Sequence, residues 1–534
     1  MSKRRAVWLL LIIMVLATCN FVYWSEQKQG FHCDEIYSHG LSNSTFHYNV
    51  YDENGNIKWN TAEDIDAYMT VSDDGRFNYA NVYNNQKLDV HPPLFYMIMH
   101  SLASFFPGTV SIYFVIIPNI LFTLGTCIFV YLIAMGTMKK RSPALLSVLC
   151  FAFSVNCINM ILYMRMYAQL TFFTTALTYL YIRLRNNCYE LTNKTAFALG
   201  AVIFLGAYTH YYFFIFLFSF VLLTVYALIR KKNKKLTLRY LKLSGITAGL
   251  YILVWPYVFR HIFGTTRGEQ AFVSVMQNSW QKSLKSYLFV FKTGVSDVIF
   301  WLFLLSLVIG FFSIIRNNRP IVIHIRKYQG IGGIALAICF YFLMVAKVAP
   351  FKVDRYIAVV FPLFAVVFVA VLYQVWVRLS DVSEKKQPFV LTLMALIVLV
   401  GLGVNQYQSL HKAEASNEEK NYLFRIRPEN QAIFDMYADT KCIMVPADEW
   451  QFLRNFPDYK HFQKTAFVRD FDIEKLREDP HLADEDECIL YISMFLNADE
   501  VLKTVKQTCG FDSHELLLEP NSRNWGKIYR LYKQ

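Results

Sequence analysis

Apolar runs without a single charged side chain recur along the chain from residue 6 to about residue 410. The first is 6–25, and others follow at 110–138, 142–162, 167–182, 195–229, 243–259, 298–315, 329–346, 356–377 and 388–407. A bilayer core about 30 Å thick needs roughly 20 apolar residues in a helix, so these runs predict membrane crossings. The run 195–229 has 35 residues, or about 52 Å of helix at 1.5 Å per residue. That is too long for one crossing and is basic at both ends, so it predicts a tight helical hairpin turning near "YTHYYF". The sum is about eleven transmembrane helices. "PLFYMIMHSLASFF", beginning at Pro93, breaks off too early to cross and predicts a partly embedded helix.

After residue 410 the pattern changes. "KCIMVP", "TAFVRD", "CILYISM", "HELLLEP" and "GKIYRLY" are short strand-like runs bounded by turn residues, and "NADEVLKTVKQT" between them has helical spacing. The predicted fold class is therefore an α-helical polytopic membrane domain at 1–410, with a long loop at 25–93, followed by a small α/β domain at 411–534.

Composition agrees, with 55% hydrophobic residues against the 45–50% usual for soluble proteins. The net charge of +13 is unevenly spread. Residues 25–93 carry 11 acids and 4 bases, and 411–534 carry 23 acids and 17 bases, so the remainder holds +26. Its bases concentrate in short connectors such as 139–141, 183–185, 230–235, 316–327 and 378–386. By the positive-inside rule these lie in the cytoplasm. The N-terminus, led by Lys3, Arg4 and Arg5, is then cytoplasmic, while 25–93, 260–296, 347–355 and the α/β domain are extracytoplasmic. A cleaved signal peptide fits less well, since its apolar core spans only about 7–15 residues. The charge writes topology and argues against a nucleic-acid partner. Cys33, Cys442, Cys488 and Cys509 fall outside the apolar runs, and their pairing is open.

Candidate chemistry lies on the outer side. The loop 25–93 opens with "FHCDEIYSHG", which places Asp34 and Glu35 just beyond the first helix, and closes with "LDVHPPLFY". A half-shielded carboxylate there suits a general base. Asp89 reads either as a second functional carboxylate or as the cap of the following helix, and His91 as a functional group or a helix-entry residue. Arg165 and Tyr167 in "YMRMYAQ", Lys347, Lys352 and Arg355 in "KVAPFKVDRY", and His210, Tyr211 and Tyr212 in "THYY" share that boundary. Each cation could grip a phosphate or anchor its helix by snorkelling. His32, Asp34, Glu35, His39 and His91 could offer metal ligands, yet their spacing matches no metal motif, and no cofactor is expected.

The Asp-Glu pair after the first helix, the long first loop, its closing "HPPLFY" and the many-helix body together resemble the C-type glycosyltransferases. The likeness is to the branch of protein O-mannosyltransferases, lipid A aminoarabinose transferases and bacterial lipopolysaccharide-sugar transferases. It is strongest over about 1–230. The resemblance implies transfer of a sugar from a polyprenyl-phosphate donor to a hydroxyl of a glycan, lipid or protein acceptor, at the outer face of a bacterial plasma membrane. It assigns the acidic pair to Asp34 and Glu35, with Asp34 as catalytic base; the outer-boundary position of the other candidates then offers Arg165, Lys347 and Arg355 to the donor phosphate, and Asp89, His91, Tyr167, His210 and Tyr211 to substrate. A polytopic transporter or lipid flippase is the main alternative, and a non-catalytic envelope scaffold a third.

Overall fold

A computed structural model describes residues 1–316, 321–379, 383, 386–411, 421–521 and 524–534. Parts of the basic connectors 316–327 and 378–386, and of the expected junction after residue 410, lie outside the described residues. The chain forms two compact units.

The first unit comprises 1–24, 89–95 and 115–412. A helix stands at each of the eleven expected positions, from Lys3–Glu26 and Tyr113–Met138 to Val360–Tyr373 and Gln387–Gln406. Among the described residues, five helices are long and apolar enough to cross a membrane by themselves, and up to seven if each of two bent pairs forms one span. The expected hairpin is present as Asn193–Ala207 and Tyr212–Lys231. Thr192 caps its first arm by accepting the Thr195 N–H, and His210 Nδ1 accepts the Tyr212 N–H at the start of the second. One bent pair, Arg141–Ala152 with Val155–Leu162, turns by 52°, where Ser154 leaves the first helix and caps the second. The region 260–296, expected as a connector, contains helices Thr266–Gln277 and Trp280–Val295. Lys282, Lys285 and Lys292 interrupt the apolar pattern there, which hid the helical period. Trp280–Val295 meets Asp297–Phe312 at 109°.

The second unit gathers 25–88, 96–114 and 413–534. This differs from the expected boundary at 410, and the reason is strand pairing. Its sheet contains β1 (Trp59–Asn60), β2 (Cys442–Val445), β3 (Thr465–Phe467), β4 (Glu487–Ser493), β5 (Ser513–Leu518) and β6 (Gly526–Tyr532), in the order β1-β3-β2-β4-β6-β5. β2 runs parallel to β3 and β4, while the other pairs are antiparallel. The loop 25–88 thus supplies an edge strand to the C-terminal sheet.

Both faces of this sheet are covered, and alternation assigns the residues. Cys442, Met444, Ile489 and Tyr491 face one core, together with Cys33, Ile36, Ile65 and Tyr68 from the loop helices. Ile443, Val445, Leu490 and Ile492 face the other, against Val501, Leu502 and Val505 of helix Ala498–Cys509. Helix Cys33–Asn43, which holds Asp34, is therefore anchored on a packed sheet through Cys33 and Ile36. Gly40 on the same helix lies against the Tyr68 ring, so closely that an added methyl would fall inside the ring's contact distance. Gly40→Ala is expected to destabilise the protein by about 1–3 kcal/mol through overpacking, measurable as a lowered melting temperature in detergent.

His39 is 1% exposed and sits edge-on to Phe31. Burial, aided by the charge of Lys28 and opposed by a backbone hydrogen bond at Met69, pushes its pKa from 6.5 down to about 4. The unfolded chain takes up this proton near pH 6.5, the folded chain only near 4. Stability is therefore full above about 6.5 and falls as pH drops toward 4, by about 3 kcal/mol in all. Melting curves between these pH values should show the loss, and His39→Leu should flatten it.

Candidate functional site

Asp34 and Glu35 belong to the second unit and occupy the first turn of helix Cys33–Asn43. His32 caps this helix, its Nδ1 accepting the Asp34 N–H at 3.1 Å. Glu35 reaches back to accept the His32 N–H at 2.7 Å, completing a capping box. Its two oxygens also accept from Lys28 Nζ at 3.2 and 3.1 Å, in an ion pair whose side chains are both wholly buried. Lys28 in turn donates to the Tyr422 carbonyl at 2.7 Å and lies 5.1 Å above the Phe424 ring. Tyr422 and Phe424 both have positive φ, 52° and 47°, a strained conformation for aromatic residues. The neighbouring Gln29 N–H donates to Leu423, which fixes the strained segment further.

The two carboxylates therefore differ. Glu35 is committed to holding the helix start and Lys28, whereas Asp34 keeps 27% of its side chain exposed, 3.6 Å from His32 Nδ1. His32, Cys33 and Asp34 bring possible metal-donor atoms within 4.8 Å of one another. They do not fit a metal as they stand, because the His32 Nδ1 lone pair already accepts the Asp34 N–H. His39 lies in the interior of the unit beside Phe31 and Met69.

In the first unit the remaining candidates form a polar and aromatic cluster. Helix Val155–Leu162 ends at Tyr163 and the next begins at Tyr167, so Arg165 sits in a break. Asn119 sustains the break by donating to the Ile161 and Tyr163 carbonyls. Arg165 is 5% exposed, and its Nη2 lies 3.4 Å from His91 Nε2. His91 Nδ1 lies 2.8 Å from Asp89 Oδ2. The Asp89 carboxylate thus engages His91, in place of the helix cap that "DVHPPLFY" also allowed. Burial raises the Asp89 pKa, but His91 and Arg165 outweigh it and leave the group below the usual carboxylate value.

Aromatic rings line this chain of contacts. His210 packs 5.6 Å from both His91 and Tyr167, and Tyr167 stacks on Tyr163 at 5.8 Å. The Arg355 guanidinium lies 5.0 Å above Tyr163 and 5.6 Å above Tyr356, whose ring is 6.3 Å from Tyr167. The structure thus brings together Asp89, His91, Arg165, Tyr167, His210 and Arg355. Tyr211 turns elsewhere, its hydroxyl meeting His261 Nδ1 at 2.8 Å and accepting from Trp255 Nε1 at 3.0 Å. Lys347 donates to the Asn278 carbonyl at 2.7 Å and lies 5.5 Å above Trp280, while Lys352 donates to the Ala346 and Ala349 carbonyls.

Sequence reasoning passed over Lys28, Asn159, Tyr163, Asp354 and Tyr356. Asn159 Nδ2 donates to Asp354 Oδ2 at 3.2 Å, beside Arg355. An asparagine inside an apolar run was the available signal, since polar groups in spans mark function by default.

No family model matches the chain, and no curated protein matches it in sequence. Solved structures do match its fold. The chain is similar to the crystal structure of ArnT from Cupriavidus metallidurans bound to undecaprenyl phosphate, with a TM-score of 0.52 and 10% identity over 99% of this chain and 98% of that one. The apo structure of the same protein gives a TM-score of 0.51 and 11% identity over the same shares. These structures have the C-type glycosyltransferase fold. The chain is an integral, multi-pass membrane protein that shares this fold and carries a sheet domain alongside its helices.

Proposed function

We propose that the protein transfers a sugar from a polyprenyl-phosphate donor to an acceptor hydroxyl. The fold it shares with a structure bound to undecaprenyl phosphate is the observation that carries this reading. The hydroxyl oxygen attacks the anomeric carbon, the bond from that carbon to the phosphate oxygen breaks, and polyprenyl phosphate leaves. Attack opposite the leaving group inverts the centre. Asp34 takes the hydroxyl proton as general base, and Glu35, beside it, keeps the helix start rigid. Arg165 and Arg355 are the cations that meet the phosphate, with Lys347 as a further candidate. His91, held by Asp89, positions Arg165, while His210 and Tyr167 face substrate. The N-terminus is cytoplasmic, the second unit is extracytoplasmic, and the acceptor is an envelope glycan, lipid or protein.

The test is reconstitution of the purified chain with radiolabelled undecaprenyl-phosphate sugars and envelope acceptors. Transfer is expected, and Arg165→Ala should raise the KM for donor about 10–100-fold, the value of a hydrogen bond to a charged group. A defect confined to acceptor would remove Arg165 from the phosphate. The span broken by 109° is also a feature of transporters. Translocation of lipid or substrate in vesicles without any transfer would establish that alternative.

A further inference from the structure

The second unit has a cavity of about 590 Å³ whose walls come from two distant parts of the chain. One wall is 47–51 of the long loop, and the other consists of 446–448 and 467–471 with Phe452. The latter segments directly follow β2 and β3, so the cavity lies outside the carboxyl ends of parallel strands. The chain leaves β2 for β3 on one side and then returns past it to β4 on the other. Open α/β sheets bind ligands at such a place.

The lining has the chemistry of a sugar site. Tyr48, Tyr51 and Phe471 keep exposed ring surface there, beside Phe452 and Phe467, which belong to the buried core. Phe471 is 73% exposed, with the Arg469 guanidinium 5.7 Å from its ring. The Tyr51 ring is held in place, because its hydroxyl donates to Asp472 and Lys475 lies 4.6 Å above it. Among these rings stand Asn49, Asp448, Arg469 and Asp470. Flat, pre-positioned rings offer faces to the C–H side of a pyranose. Carboxylates accept from its hydroxyls, while Arg and Asn donate to its oxygens. Asp448 and Asp470 set against Arg469 and His47 leave no excess of positive charge to favour a phosphate or sulfate ligand.

We infer that this cavity is a saccharide-binding subsite that takes a neutral oligosaccharide. It rests on the proposed transferase reading in one respect: the bound saccharide is the acceptor, held by the extracytoplasmic unit. A site of this kind supplies binding energy away from the reacting hydroxyl and raises the local concentration of acceptor.

Binding can be measured without turnover. The full chain in detergent is titrated into fluorescently labelled maltotetraose, cellotetraose, chitotetraose and mannotetraose, with a sulfated heparin tetrasaccharide as anionic control. At least one neutral member is expected to bind. Phe471→Ala and Asp448→Asn should each weaken it about tenfold or more, as one lost contact of this kind requires. Asp448 caps helix Glu449–Arg454 by accepting the Gln451 N–H, and Asn caps as well as Asp, so both variants keep the fold. No neutral binding, binding of the sulfated control alone, or binding indifferent to both substitutions would overturn the inference. Transfer with no saccharide binding sinks the subsite alone. Saccharide binding lost in both variants, with no transfer from any donor, sinks the transferase reading and leaves the cavity.

Discussion

Asp34→Asn is expected to lower sugar transfer by about 10²–10⁴-fold, the usual contribution of a positioned general base. The substitution is nearly isosteric. The backbone N–H of Asp34 donates to His32 Nδ1 and its carbonyl accepts from the Ser38 hydroxyl, contacts that Asn makes equally. Helix Cys33–Asn43 therefore keeps its start, and the loss should fall on kcat with the KM for donor little changed. Initial rates at saturating donor, measured beside a melting curve, check both halves. Unchanged turnover in the variant would remove Asp34 from the reaction.

Lys28→Ala is expected to cost about 3–5 kcal/mol of stability, because it strands the wholly buried Glu35 carboxylate without its cation. It also removes the donor to the Tyr422 carbonyl. Lys28→Met combined with Glu35→Gln should recover most of that loss, since no charge is left buried and Gln completes a capping box as Glu does. Denaturation in detergent measures the two stabilities. Transfer assays on the double variant add a separate answer: activity retained there would show that the charge of Glu35 is structural, and activity lost from a stable protein would return Glu35 to the chemistry.

The membrane part of this fold was legible because its signal is long and one-dimensional. Every uncharged run expected to cross corresponds to a helix or, at 142–162, to a bent pair of helices, and even the hairpin turn near Thr209 and His210 followed from length and basic flanks. The domain boundary was not legible. Trp59 and Asn60 make a two-residue strand in a polar loop, and nothing local shows that their partners are Ala466 and Thr465. The site divides along similar lines. Asp89, His91, Arg165 and His210 stood out as polar groups beside apolar runs, and they do converge. Lys28 did not stand out, because a lone base in an acidic loop looks solvated until its burial is known. The separate fates of adjacent Asp34 and Glu35 needed the helix cap, a matter of three-dimensional angle.

The pairing of β1 with β3 also sets a clock on biogenesis. Asn60 and Thr465, joined by a 3.1 Å hydrogen bond, are 405 residues apart in sequence. At about 5–20 residues per second, roughly 20–80 s of synthesis separates the emergence of the first partner from that of the second. Lys28 waits almost as long for Tyr422, 394 positions away. During that interval the helix bearing Asp34 lacks both its sheet and its latch, and it gains them only once the segment from Tyr422 to β3 has been made.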